Sequence, residues 1–187
     1  MNIPKVVIID PGHGMSNRKA GVYDSGTESA GVQEATVAMD YANTLRQILL
    51  DRGIRVVRTR TDAKDPAPIG QRSAVAKRFH GDIMISLHCN DSGTGKAMGT
   101  ETFYRGSANA AMAKRLNNAV CISLGTKSRG IKLESQSQHT SLAVMSFQPC
   151  FLIELGFMDN KSDRDAFLDP VKRKAACTAI ADAITTP

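Results

Sequence analysis

Two short apolar runs, Val6-Val7-Ile8-Ile9 and Ile83-Met84-Ile85-Ser86-Leu87, each lead into a histidine-bearing segment: Asp10-Pro11-Gly12-His13-Gly14 after the first and His88-Cys89-Asn90 after the second. Runs this short and apolar fit strands buried on both faces, which occur where helices cover a parallel sheet. Parallel strands share their carboxyl ends, so His13 and His88 are expected at one edge of such a sheet, where open α/β sheets place their ligands.

The remaining segments alternate in the same way. From Val32 onward, Ala35, Ala38, Ala42, Leu45 and Leu49 recur at intervals of three or four, which predicts a helix stopped by Gly53. Ile54 to Thr59 suits a second strand, and a short helix over 71–79 carries Arg72 near its start. Gly99 to Tyr104 alternates as a strand, and Ser107 can cap a helix that buries Ala111, Leu116, Val120 and Leu124 before Gly125. Residues 14–31 and 126–141 read as loops, the second with Ser128-Arg129-Gly130 and His139, and Leu142 to Met145 as a short strand or turn. Cys150 to Phe157 is a further apolar run, and Asp169-Pro170 opens a last helix with Ala175, Ala179, Ile180, Ala183 and Ile184 inward.

With 187 residues, 42% of them hydrophobic, the chain can bury one sizeable core. The expectation is an α/β fold: a three-layer α/β/α sandwich around a central, mostly parallel sheet, as a single domain over 1–187 with right-handed crossovers.

Composition narrows the function. No apolar stretch is long enough to span a bilayer and the N-terminus lacks the pattern of a secretory signal, so synthesis in the cytoplasm is expected. Cys89, Cys121, Cys150 and Cys177 form no Cys-x-x-Cys pair and read as buried free thiols. A net charge of +6 attracts polyanions or keeps the protein soluble. The absence of Trp, the 5% aromatic content and the lack of a basic run argue against nucleic acid.

Taken singly, His13 reads equally as a loop histidine, and Glu34 as a first-turn acid favoured by the helix dipole. Glu154 is the stronger anomaly. It interrupts Phe151-Leu152-Ile153 and Leu155, and a carboxylate in a buried strand costs heavily unless something compensates it. Together His13, Glu34, His88 and Glu154 offer two imidazoles and one carboxylate as ligands, with a second carboxylate free for proton transfer. That set suits a catalytic zinc, which keeps one position open for water.

The chain resembles the zinc-dependent N-acetylmuramoyl-L-alanine amidases of the amidase-3 type, found among bacterial cell-wall hydrolases and phage endolysins. The resemblance rests on Ile9-Asp10-Pro11-Gly12-His13-Gly14, Glu34, Thr59-Arg60-Thr61 with Arg72, Ser86-Leu87-His88-x-Asn90, Gly99-Thr100-Glu101-Thr102-Phe103-Tyr104, Arg129-Gly130-Ile131-Lys132, and Ile153-Glu154-Leu155-Gly156-Phe157 with Asn160. These stand in family order and cover almost the whole chain. Met15, Ala35, Leu87 and Cys89 depart from the usual pattern, and none is a proposed ligand. Glu28 is the rival for the place given to Glu34.

The resemblance implies that His13, Glu34 and His88 hold Zn2+ and that Glu154 is the catalytic carboxylate. The implied reaction is hydrolysis of the amide between N-acetylmuramic acid and L-alanine in peptidoglycan. Arg72, Arg129 and His139 are candidates for orienting substrate, with a fold-supporting salt bridge as the other reading of Arg72. The short segment after Asn90 leaves no room for the blocking helix of some family members, so no activator protein is expected, nor a separate wall-binding domain. A short, basic, leaderless amidase resembles a phage or prophage lysin released at lysis. Two other classes stay open: a zinc carboxypeptidase acting on other peptides, and a metal-free module that binds an anionic polymer.

Overall fold

The computed structural model of the chain describes residues 3–186. Six strands make one sheet: β1 (Val6–Pro11), β2 (Arg55–Arg58), β3 (Ile83–Asn90), β4 (Thr100–Tyr104), β5 (Ser128–Leu133) and β6 (Cys150–Phe157). Their order is β2-β1-β3-β6-β4-β5, with every neighbouring pair parallel except β6 with β4. The α/β expectation with a mostly parallel sheet therefore holds. Because β4 and β5 run against the others, their amino ends share an edge with the carboxyl ends of β1, β3 and β6.

Helices α1 (Glu34–Asp51), α3 (Ala110–Leu124) and α5 (Pro170–Thr185) cover one face, where Val7, Ile9, Ile85, Leu87, Phe151 and Ile153 are fully or almost fully buried. The other face is thinner. Ile8, Met84 and Leu152 pack there on Ala76 of α2 (Arg72–Arg78) and on the 3-10 turn Ala143–Ser146. The alternation of β1 and β3 thus separates two apolar faces, both covered.

Local chemistry explains the helix ends. Asp169 accepts from Val171 N and Lys172 N ahead of Pro170, and Gly125 closes α3 in the left-handed conformation.

Several boundaries differ from the sequence reading. α1 begins at Glu34 rather than Val32, because Val32–Gln33 pairs with Glu28–Ser29 in a two-residue ladder. A second such ladder, Gly14–Met15 with Tyr23–Asp24, orders the 14–31 segment. Ser128–Leu133, read as loop, is β5, and Leu142 to Met145 lies mostly within a 3-10 turn. An eight-residue helix, α4 (Lys161–Leu168), was not foreseen; Asn160 caps it through Ser162 N and Asp163 N.

Candidate metal centre

β1 ends at Pro11, and the chain then turns through His13 in a left-handed conformation, φ 59°. Two buried arginines hold this turn by its carbonyls. Arg60 donates to Pro11 O and Gly12 O at 3.1 and 2.8 Å, and Arg72 to Pro11 O and His13 O at 2.8 and 2.6 Å. Arg60 also reaches Ala35 O at 2.8 Å, tying the turn to the start of α1. Here Glu34, in the first turn, points back at the sheet edge.

His88 lies inside β3 rather than past its end, since β6 continues alongside and pairs Glu154 with His88. The Glu34 carboxylate sits between the two imidazoles. Its Oε2 is 3.0 Å from His13 Nε2, and its Oε1 is 3.0 Å from His88 Nδ1. Thr27 N donates to Oε2 at 3.1 Å and Cys89 N to Oε1 at 2.9 Å. One donor atom from each of His13, Glu34 and His88 falls within 4.8 Å of the others. Gly12 lets His88 approach the turn: a Cβ built there would stand 2.3 Å from His88 Cε1.

The centre opens into a cleft of about 640 Å³ that Glu154 also lines. A family model described as N-acetylmuramoyl-L-alanine amidase matches residues 7–186. The chain belongs to the N-acetylmuramoyl-L-alanine amidase family.

Relatives in this family include an uncharacterised cell wall amidase of Bacillus anthracis, 30% identical over 94% of this chain and 34% of its own length. The N-acetylmuramoyl-L-alanine amidase LytC of Bacillus subtilis is 28% identical over 96% of this chain and 35% of its own length. The chain thus spans about a third of the length of these two relatives. The solved catalytic domain of CwlV, the amidase of Bacillus (Paenibacillus) polymyxa, is 30% identical with a TM-score of 0.83, covering 97% of this chain and 96% of that one.

The electrostatics of this family member follow from burial and pairing. Burial pushes the Glu34 pKa up, but hydrogen bonds and charge from His13 and His88 outweigh it and hold the carboxyl below its ordinary range. His13 is pulled down by burial and up more strongly by Glu34 and Asp24. Asp24 Oδ2 lies 3.2 Å from His13 Nδ1, a charge contact without hydrogen-bond alignment. Glu154 is raised well above a normal carboxylate, first by burial and then by the charges of Glu34 and Glu101, against an opposing pull from Lys132. Its Oε2 is buried without a hydrogen-bond partner among the described residues.

The other sequence-named residues fall in different places. Arg72 is buried in an ion pair with Asp10 at 2.7 Å and supports the His13 turn, in keeping with the salt-bridge reading. Arg129 lines the cleft and pairs with Glu101. His139 is exposed at the cleft rim. Glu28 is exposed and bonded to Gln33, outside the ligand cluster. Asp24, Arg60, Glu101 and Lys132 received no role from the sequence. For Glu101 the signal was present, since it too is a carboxylate between buried strand residues, Thr100 and Thr102.

Proposed function

We propose that this chain hydrolyses the amide joining the lactyl group of N-acetylmuramic acid to L-alanine in peptidoglycan, with zinc held by His13, Glu34 and His88. The observation that carries the reading is Glu154: a half-buried residue whose Oε2 is buried without a hydrogen-bond partner among the described residues, paired across one strand step with His88 and lining the same cleft. Two nitrogen donors and one oxygen donor, converging within 4.8 Å, suit zinc. A zinc ion held by these three side chains would supply a Lewis acid and would lower the pKa of water toward about 7.

Glu154 takes the proton of the attacking water at Oε2 and passes it to the departing alanine nitrogen, which leaves poorly until protonated. Its surroundings serve the second half: burial and two neighbouring carboxylates favour its protonated form. Asp24 orients the His13 ring from its far side, and Arg60 and Arg72 hold the turn below. Arg129 and His139 orient the peptide at the cleft wall and rim. The connection from Asn90 to Thr100 carries no helix and is pinned to Asp159 through Ser92, Thr94 and Gly95, so the reading includes activity without an activator.

Purified peptidoglycan digested by wild type and by Glu154→Gln, each assayed for zinc, tests the scheme. New N-terminal alanine from wild type alone, with zinc in both, is the expected result. Activity surviving in the variant sinks the role of Glu154, and resistance to chelators sinks the metal. Faster cleavage of simple peptides than of muramyl peptides would favour a carboxypeptidase.

A further inference from the structure

The row of side chains along the sheet edge continues beyond Glu154. Glu101 stands opposite Glu154 in the antiparallel pairing of β4 with β6 and is 3% exposed. Asn90 Nδ2 donates to its Oε1 at 2.8 Å, while Arg129 Nε and Lys132 Nζ donate to its Oε2 at 2.7 and 2.6 Å. Arg129 and Lys132 are three residues apart, so an uninterrupted strand would turn them to opposite faces. The β4–β5 ladder slips here. Thr100 pairs with Ser128 but Thr102 pairs with Ile131, leaving Arg129 and Gly130 both opposite Glu101. Gly130, at φ +83°, supplies the backbone conformation for this bulge. The extra residue brings both cations to one carboxylate.

Two cations against one carboxylate leave one positive charge unmatched within this cluster. Arg129 uses only Nε on Glu101, and among the described residues its two terminal nitrogens have no hydrogen-bond partner. Its guanidinium carbon lies 4.9 Å from the Phe157 ring centre, and Lys132 Nζ lies 5.8 Å from that of Phe103. Both side chains are held by Glu101 and an aromatic ring, yet remain 35% and 27% exposed. A fixed guanidinium with free terminal nitrogens matches a carboxylate in the bidentate geometry.

We infer that Arg129 and Lys132, positioned by Glu101, form a carboxylate-binding subsite that reads an anionic group on the peptide side of the scissile bond. The inference rests on the amidase reading for the direction of the substrate. Next to that bond the sugar carries hydroxyl and acetamido groups, whereas the stem peptide carries the carboxylates. Strands lie about 4.8 Å apart, so a subsite one and two strands beyond Glu154 meets the residue after alanine rather than the scissile carbonyl. Where that second residue is joined onward through its side-chain carboxyl, its α-carboxyl hangs free, and amidation removes the charge.

Two muramoyl tripeptides that differ only in whether the second residue's α-carboxyl is free or amidated provide the test. They are compared as substrates of wild type, Arg129→Gln, Lys132→Met and Glu101→Gln, and as ligands of zinc-loaded Glu154→Gln by calorimetry. Wild type is expected to favour the free acid roughly tenfold in kcat/KM, mainly through KM, with the same preference in binding. The ratio is expected to fall toward one in the three variants. Equal handling of both peptides by wild type, or a preference that survives in Arg129→Gln and Lys132→Met, overturns the subsite. If the acid form binds more tightly but neither peptide is cut, the amidase reading fails and the subsite stands.

Discussion

Arg72 donates to the Asp10 carboxylate at 2.7 Å, and both side chains are buried. The same guanidinium reaches the carbonyls of Ala67, Pro11 and His13, so it joins the ion pair to the metal-site turn. Removing one partner of a buried pair strands the other charge at a cost of about 3–5 kcal/mol. Arg72→Met is expected to lower the unfolding free energy by that order in a urea titration. A loss nearer that of a surface pair, below about 1 kcal/mol, would contradict this.

Asp10 also sets an acid limit. Burial raises its pKa, and Arg72 with the Ser86 and Thr59 hydroxyls more than offsets that, bringing it from 3.8 to about 2. A depressed folded pKa gives stability that is present above the unfolded value and lost as pH falls through the folded one. The shift corresponds to about 2 kcal/mol, lost between about pH 4 and pH 2. Stability measured across that window should vary less steeply for Asp10→Asn than for wild type; parallel curves would assign the acid sensitivity to other groups.

Asp24 faces His13 Nδ1 while His13 Nε2 faces Glu34. Carboxylates that orient a ligating imidazole from its far side typically account for about 10- to 100-fold in metal affinity. Competition with a chromophoric chelator should show a zinc affinity reduced by that factor in Asp24→Asn, with an unchanged circular dichroism spectrum. An affinity equal to wild type removes Asp24 from this role.

Gly12→Ala places a methyl group 2.3 Å from a His88 ring atom, and His88 is held by Glu34. The expected result is a zinc affinity at least about tenfold weaker, since a ligand displaced by even part of an ångström loses its geometry. Gly70→Ala, which meets nothing within 4 Å, is the matched control. Equal affinity in the two variants would show that His88 has room to move.

Much of the site could be read from short-range pattern. Apolar runs leading into His13 and His88, a helix starting at Glu34 and a carboxylate inside an apolar run each leave a local signature. What escaped depends on neighbours distant in sequence. β5 is partly exposed, polar and broken by Gly130, so only its pairing with β4 defines it as a strand. The short polar helix α4 has an Asn160 cap but apolar residues only in its last turn, Ala166, Phe167 and Leu168, too few to set a period. Arg60 and Glu101 are charged residues whose burial follows from what they pair with, carbonyls in one case and two cations in the other. Nothing in their immediate flanks names those partners.

The hold of Arg60 and Arg72 on three consecutive carbonyls, Pro11, Gly12 and His13, bears on when the ligand loop loses its freedom. Its conformational entropy is surrendered as the chain folds, so an arriving ion has little ordering left to impose. Small domains that fold only around their metal work the other way. With a metal bound as proposed, exchange of one divalent cation for another would be a local event, confined to the donor atoms, while the sheet behind them keeps its register.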